Sequence, residues 1–299
     1  MQTFEINTFS KNILFTTVRI HCEGPQGGSD GTAFIYAIDD DMKRMTPVLV
    51  TNKHVIAGAK ECTIHFVQGQ KNMPALSEDA IAYRFPSRPE GPWVGHPSTD
   101  VDVAVMPLGP CLNEMEKVGV SPFVRVIPPN AAPRPDDLDA IDASANVIFV
   151  GYPNGLYDAV NKTPILRRGI TASPIHLDWQ GQPQFLIDAS VFPGSSGSPV
   201  FLEPNPFANG GISVGGPESA PQFVGVVAAV YQRKVNGEIV FTGKAPRVEV
   251  FDPINLGIVY KWTAIEQTID AMCAKLGIER KQLNSAPEPW AQIVKEPTI

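Results

Sequence analysis

The chain has 299 residues, 43% of them hydrophobic, and a formal net charge of −7. That length suits one or two domains with sizeable cores, and the acidic balance argues against a nucleic-acid partner, which requires a basic face. No apolar run approaches the roughly 20 residues of a membrane span; the longest, Phe223 to Tyr231, has the length of a strand.

The amino terminus, Met1-Gln2-Thr3-Phe4-Glu5-Ile6-Asn7, offers neither a basic start nor a continuous apolar stretch, so no secretory signal is visible. Cys22, Cys62, Cys111 and Cys273 lie far apart without metal-type spacing. Both features point to a cytoplasmic protein with buried, reduced thiols, a Cys22–Cys62 bridge being the alternative in an exported chain. Strand-length apolar or alternating runs then recur at Asn12–Cys22, Gly31–Ile38, Pro47–Thr51, Cys62–Val67, Val101–Leu108, Asn146–Val150, Ile165–Ala172, Gln184–Asp188, Ser198–Leu202, Phe223–Tyr231 and Gly237–Phe241. Their β-branched and aromatic content, with Gly, Pro and Asp between them, predicts an all-β fold built as barrels. Residues 72–99 read as a long insertion covering the first half.

From Gly109 to Asn146 the chain is polar and proline-rich, with Pro128-Pro129, Pro133 and Pro135. One domain hands over to the next there. The expected division is 1–120, 121–258, and a helix and tail over 259–299. In the last part Ile265, Ile269, Met272 and Leu276 share one helical face, Thr263 and Glu266 can form a capping box, and Gly277 can end the helix.

Three short segments carry the chemistry: Thr51-Asn52-Lys53-His54-Val55, Asp102-Val103-Ala104-Val105 and Pro193-Gly194-Ser195-Ser196-Gly197-Ser198-Pro199-Val200. A serine hydroxyl is a poor nucleophile at neutral pH; it needs a base, a group that orients the base, and donors for the oxyanion that forms. The small residues around Ser196 allow a tight turn that exposes its hydroxyl and aims the amides of Gly194 and Ser196 into one space. Standing alone, that segment would read as a Gly/Ser hairpin turn. Asp102 opens an apolar strand, where an ionised carboxylate needs a partner; Asp100 would share its face and is the alternative acid. His21, His65, His96 and His176 are rivals to His54, with His96 nearest the acidic pair. No histidine follows Ser196, which excludes the serine–acid–histidine order of the α/β-hydrolases. There is no H-E-x-x-H, no clustered Cys/His set and no nucleotide-binding fingerprint, so neither metal nor cofactor is expected.

With Gly31-Thr32-Ala33-Phe34-Ile35 and Gly151-Tyr152-Pro153 added, these segments resemble the chymotrypsin-fold, trypsin-like serine peptidases. They are most similar to the bacterial branch holding the V8-type glutamyl endopeptidases and the HtrA proteases, and the match runs from about Asn12 to Tyr260. The resemblance implies two six-stranded antiparallel β-barrels with the site between them and a C-terminal helix packed outside. It also implies a catalytic triad: His54 as base, Asp102 orienting it, Ser196 as nucleophile, with the Gly194 and Ser196 amides as oxyanion hole. The implied activity is endopeptidase cleavage of a polypeptide through an acyl-enzyme, whether of many proteins or of one dedicated substrate. The alternative is a catalytically silent module that binds a peptide in the cleft.

Some positions depart from the family pattern. Ser195 stands where zymogen-activated trypsins carry an Asp, so that activation switch is not expected. The histidine by which the V8-type branch reads glutamate is absent near Val227. A pocket walled by Ser190, Val191, Val227 and Ala229 would take a small or medium apolar side chain. Within 72–99, Arg84, Arg88, Trp93 and His96 could line a primed-side groove. Arg167-Arg168 reads as a solvated strand face that could alternatively meet an acidic substrate segment.

Overall fold

The computed structural model describes all residues except 1–3, 26, 39–45, 77–79, 88–90, 205–219, 239–246, 278, 281–291 and 297–299. Strands dominate it. The first half holds β1 (Thr17–Gly24), β2 (Gly27–Ala37), β3 (Pro47–Thr51), β4 (Glu61–Gln70), β5 (Met73–Pro74), β6 (Ala80–Pro86), β7 (Val94–Gly95), β8 (Ala104–Pro107) and β9 (Pro122–Phe123). The second half holds β10 (Asn146–Gly151), β11 (Ile165–Thr171), β12 (Gln184–Asp188), β13 (Pro199–Leu202), β14 (Gln222–Glu238) and β15 (Arg247–Lys261), and β16 (Gln292–Glu296) follows near the end. The helices are α1 (Phe9–Ile13), α2 (Lys53–Ile56), α3 (Gly109–Lys117) and α4 (Trp262–Leu276).

The second half is a closed antiparallel barrel in the order β10-β11-β12-β15-β14-β13, as expected. The first half is not a closed six-stranded barrel. It is a ten-stranded sheet with the path β16-β6-β4-β1-β2-β3-β8-β7, and β5 and β9 pair with β4 beside it. The two edges that would close a six-stranded ring are occupied: β6 pairs with β16 and the four-residue β8 pairs with β7.

Several elements differ from the sequence reading. The run Asn12–Cys22 divides into the end of α1, capped by the Thr8 hydroxyl, and the strand β1. Residues 80–86 are a working strand, β6, paired along β4, so 72–99 is more than an insertion. The polar stretch after Gly109 begins with helix α3, which buries Cys111 and Met115. Residues 239–241 of the expected strand Gly237–Phe241 lie outside the described residues. No helix among them is long and apolar enough to cross a membrane, and all four cysteines are free and buried.

The continuous apolar run of β2 has a simple cause: the strand is buried on both faces. Ala33 and Ile35 join Ile20, Leu49, Ile64 and Tyr83 in the core of the first sheet. Phe34 and Tyr36 point the other way, into a core shared with Val48, Val50, Phe223 and helix α4. The Phe34 and Phe223 rings meet edge to face at 5.5 Å between centroids, one from each half. The Tyr36 hydroxyl donates to Glu266 on α4 at 2.6 Å. The two halves are therefore joined through a shared apolar core.

Candidate active site

Strand β3 ends at Thr51 and the chain turns into the one-turn helix α2, which puts His54 on its first turn with its side chain 51% exposed. Asp102 stands two residues before β8, the strand paired with β3, so the pairing brings acid and histidine together. The His54 ring nitrogen Nδ1 lies 2.5 Å from Asp102 Oδ2, and the His54 backbone amide donates to Asp102 Oδ1 at 3.0 Å. The Asn52 side-chain amide donates to the Asp102 carbonyl at 2.6 Å and fixes the acid's backbone. Both carboxylate oxygens are thus engaged by one residue, and only Nε2 of the imidazole is left to face outward.

Rival residues have other partners. The Asp100 carboxylate accepts from the Thr99 hydroxyl at 3.4 Å, its amide donates to the Ser98 hydroxyl at 3.3 Å, and its carbonyl accepts from the Tyr260 hydroxyl at 2.8 Å. The His96 ring meets Gln267 of α4 at 3.0 Å. His21 meets Asp30 at 3.1 Å. His65 packs beneath Arg19, and burial first, with the Arg19 charge second, pushes its pKa down to about 3. His176 is exposed.

Ser196 comes from the second half, on the loop between β12 and β13. Gly194 and Gly197 adopt φ of +85° and +89°, a region that side chains rarely enter. Each also sits where a Cβ would collide with backbone: Gly194 with the Tyr152 carbonyl, and Gly197 with the Thr32 carbonyl. Within the turn the Ser195 amide donates to Phe192 and the Ser198 amide to Ser195. Ser195 is buried, and its hydroxyl accepts from the Phe192 amide at 3.4 Å. The amides of Gly194 and Ser196 have no acceptor among the described residues. In each case the carbonyl of the same peptide unit is held on the opposite side. The Pro193 carbonyl accepts from the Asn154 amide at 2.5 Å, and the Ser195 carbonyl accepts from the Ser198 amide at 3.0 Å.

The Ser196 hydroxyl donates to the Ala228 carbonyl at 2.9 Å, and no hydrogen bond joins it to His54 among the described residues. A β-bulge makes this possible. Val227 and Ala229 pair with consecutive residues of β15, so Ala228 is the extra residue, turned out of the ladder toward the loop. Of the pocket residues read from the sequence, Ser190 is exposed while Val191 and Val227 are buried; the side chain of Ala229 lies outside the described residues. Val191 lies over Gly257, where an added Cβ would meet it. The two neighbouring arginines part company. Arg168 pairs with Glu203 at 2.9 Å, and Arg167 stacks over the Phe192 ring at 4.8 Å, four residues before Ser196. Arg84, inside the supposed insertion, pairs with Glu61, and Trp93 packs against Phe85.

Sequence reasoning missed three contributors. Asn52 anchors the acid, Asn154 orients the Pro193 peptide, and Thr32 ties the Ser196 loop to the first sheet. Thr32 and Asn52 were visible as polar residues inside otherwise apolar strand ends, which is the signal that could have found them.

Solved structures of similar fold include the serine endoprotease from Yersinia pestis, 14% identical, with a TM-score of 0.48, covering 90% of this chain and 68% of that one. The thermostable serine protease AL20 from an extremophilic microorganism is 14% identical, with a TM-score of 0.44 and coverage of 87% and 97%. The inactivated protease paralogue S-I1 of the scabies mite is 14% identical, with a TM-score of 0.43 and coverage of 88% and 98%. No curated protein matches the sequence. The family model for the trypsin-like peptidase domain matches residues 31–205, more than half of the chain and a stretch that includes His54, Asp102 and Ser196. On that match, the chain belongs to the trypsin-like peptidases.

Proposed function

We propose that the protein is a serine endopeptidase in which His54, Asp102 and Ser196 form the catalytic triad. The observation that carries this reading is the double hold of Asp102 on His54, through its amide and through Nδ1. A carboxylate so placed fixes the tautomer that leaves Nε2 free to accept a proton, and stabilises the imidazolium once it has done so. Ser196 attacks the carbonyl carbon of the substrate and passes its hydroxyl proton to Nε2. The tetrahedral oxyanion takes the two unbonded amides of Gly194 and Ser196. His54 then gives the proton to the leaving amine, and water releases the acyl group by the reverse sequence.

In the free protein the Ser196 hydroxyl rests on the Ala228 carbonyl. Catalytic hydrogen bonds commonly tighten only once substrate is bound, so this resting contact is compatible with transfer to His54. A pocket walled by Ser190, Val191, Val227 and Ala229 would take a small or medium apolar P1 side chain.

The test is covalent. A fluorophosphonate probe should label the wild-type chain at Ser196, and Ser196→Ala should abolish both labelling and peptide cleavage, a loss on the order of 10⁶ in turnover. A wild-type chain inert to the probe, or an alanine variant that still cleaves, would defeat the assignment. A charged P1 preference in a peptide library would defeat the apolar pocket alone.

A further inference from the structure

We propose that Thr32 is a positioning residue which keeps the oxyanion hole assembled in the uncut chain, a proposal that rests on the peptidase reading above. Thr32 belongs to the first sheet, on β2, yet most of its hydrogen bonds cross to the second half. Its amide donates to the Ser196 carbonyl at 3.0 Å. Its hydroxyl donates to the Gly194 carbonyl at 2.8 Å and accepts from the Tyr152 amide at 3.0 Å. Its own carbonyl accepts from the Thr51 hydroxyl at 2.7 Å, three residues before His54. The residue is fully buried and every polar group it carries is used.

These contacts fall on the peptide units flanking the two free amides. The Thr32 hydroxyl holds the carbonyl that follows the Gly194 amide, and the Thr32 amide holds the carbonyl that follows the Ser196 amide. From the other side, Asn154 holds the carbonyl of Pro193. The Tyr152–Gly155 turn that carries this amide is itself tied to Thr32 through Tyr152. A peptide flip at Gly194 would turn its amide out of the cleft, and would have to break the Asn154 bond and disturb the Thr32 bond together. Thr32 thus does from the first sheet what Ser195, a small neutral residue locked in its own turn, does not do by charge. The close approach of Gly197 to the Thr32 carbonyl shows how tightly the loop is seated there.

The experiment uses the full chain, a peptide substrate chosen from library profiling, and a peptidyl boronic acid built on the same sequence as a mimic of the tetrahedral state. Thr32→Val should lower kcat by about 10- to 100-fold with KM within about 3-fold, since removing a whole oxyanion donor costs on the order of 10²–10³. Affinity for the boronic acid should fall by the same factor as kcat. Thr32→Ser, which keeps the hydroxyl, should stay within about 3-fold of wild type on both counts. If Thr32→Val does not fold, Thr32→Ala is compared with Thr32→Ser in the same way. A hydroxyl-free variant that melts earlier but keeps wild-type kcat and boronate affinity overturns the proposal. A second arm needs no variant. Freshly made wild type of intact mass should label with the fluorophosphonate without a lag. A lag that ends only when the chain is clipped overturns the proposal and leaves the peptidase reading standing, whereas wild type that never labels or cleaves removes both.

Discussion

In the proposed triad Asp102 is the residue on which the geometry turns, because it holds both the ring and the backbone of His54. It meets the histidine twice, at 3.0 Å and 2.5 Å, while Asn52 secures its backbone from below. Asp102→Asn keeps the size and one acceptor oxygen but replaces the other with an amide donor. Turned toward Nδ1, that donor selects the tautomer whose Nε2 already carries a proton and cannot take one from Ser196. The expected result is a fall in kcat on the order of 10⁴ with little change in melting temperature. Steady-state kinetics beside thermal unfolding check it, and a variant that retains more than a tenth of wild-type turnover would show that Asp102 is only structural. That Asp102 would need a partner was legible, because an acid at the head of an apolar strand must find one, and it meets His54. Asn52 and Thr32 were visible only as polar residues at apolar strand ends; the carbonyls they satisfy, of Asp102 and Gly194, are brought there by the fold.

Helix α4 shows the same division one scale up. Most of its apolar face was readable: Ile265, Ile269 and Met272 are fully buried, whereas Leu276, expected on the same face, is exposed in the last turn, and Gly277 closes the helix in the left-handed conformation. The expected capping box is absent. Lys261 is the N-cap, and Glu266 turns instead to the Tyr36 hydroxyl and to Arg280, at 2.6 Å each. The glutamate is taken by Tyr36, on a strand far away in sequence, and by Arg280 beyond the helix's end, rather than by the local motif. For the same reason β6 was missed as a strand, as its warrant is the register with β4 rather than its own composition. The missing closure of the first barrel depends likewise on which strand reaches each edge, and β16 lies more than 200 residues from β6. Ile269 sits where the helix meets the core shared by both halves. Ile269→Ala should therefore cost roughly 2–5 kcal/mol in urea unfolding, with the loss seen equally by probes in either half. A variant whose second half unfolds while the first stays folded would contradict the shared core.

At the scale of the whole molecule that shared core couples local titration to global stability. β2 and β3 are walls of both cores, so the first sheet cannot open without exposing Phe34, Tyr36, Val48 and Val50 to water. His65 on β4 is the group through which acid should act on this unit. It is packed among Arg19, His21 and Arg84, and burial followed by those charges holds its pKa near 3, against an ordinary 6.5. The unfolded chain then binds a proton at His65 before the folded one does. Stability contributed by the neutral ring is complete above pH 6.5, declines as pH falls through the window from 6.5 toward 3, and declines no further below it. The slope cannot exceed about 1.4 kcal/mol per pH unit for one proton. His65→Gln leaves an acceptor for Arg19 and removes the titration. Urea unfolding of wild type and variant from pH 7 to pH 4 should give curves that diverge steadily on the acid side, with wild type losing stability faster. The carboxylates that also titrate in that range are common to both proteins and cancel in the comparison. Parallel curves would mean that the folded protein accepts the proton as readily as the unfolded chain, and that acid reaches the fold through some other group.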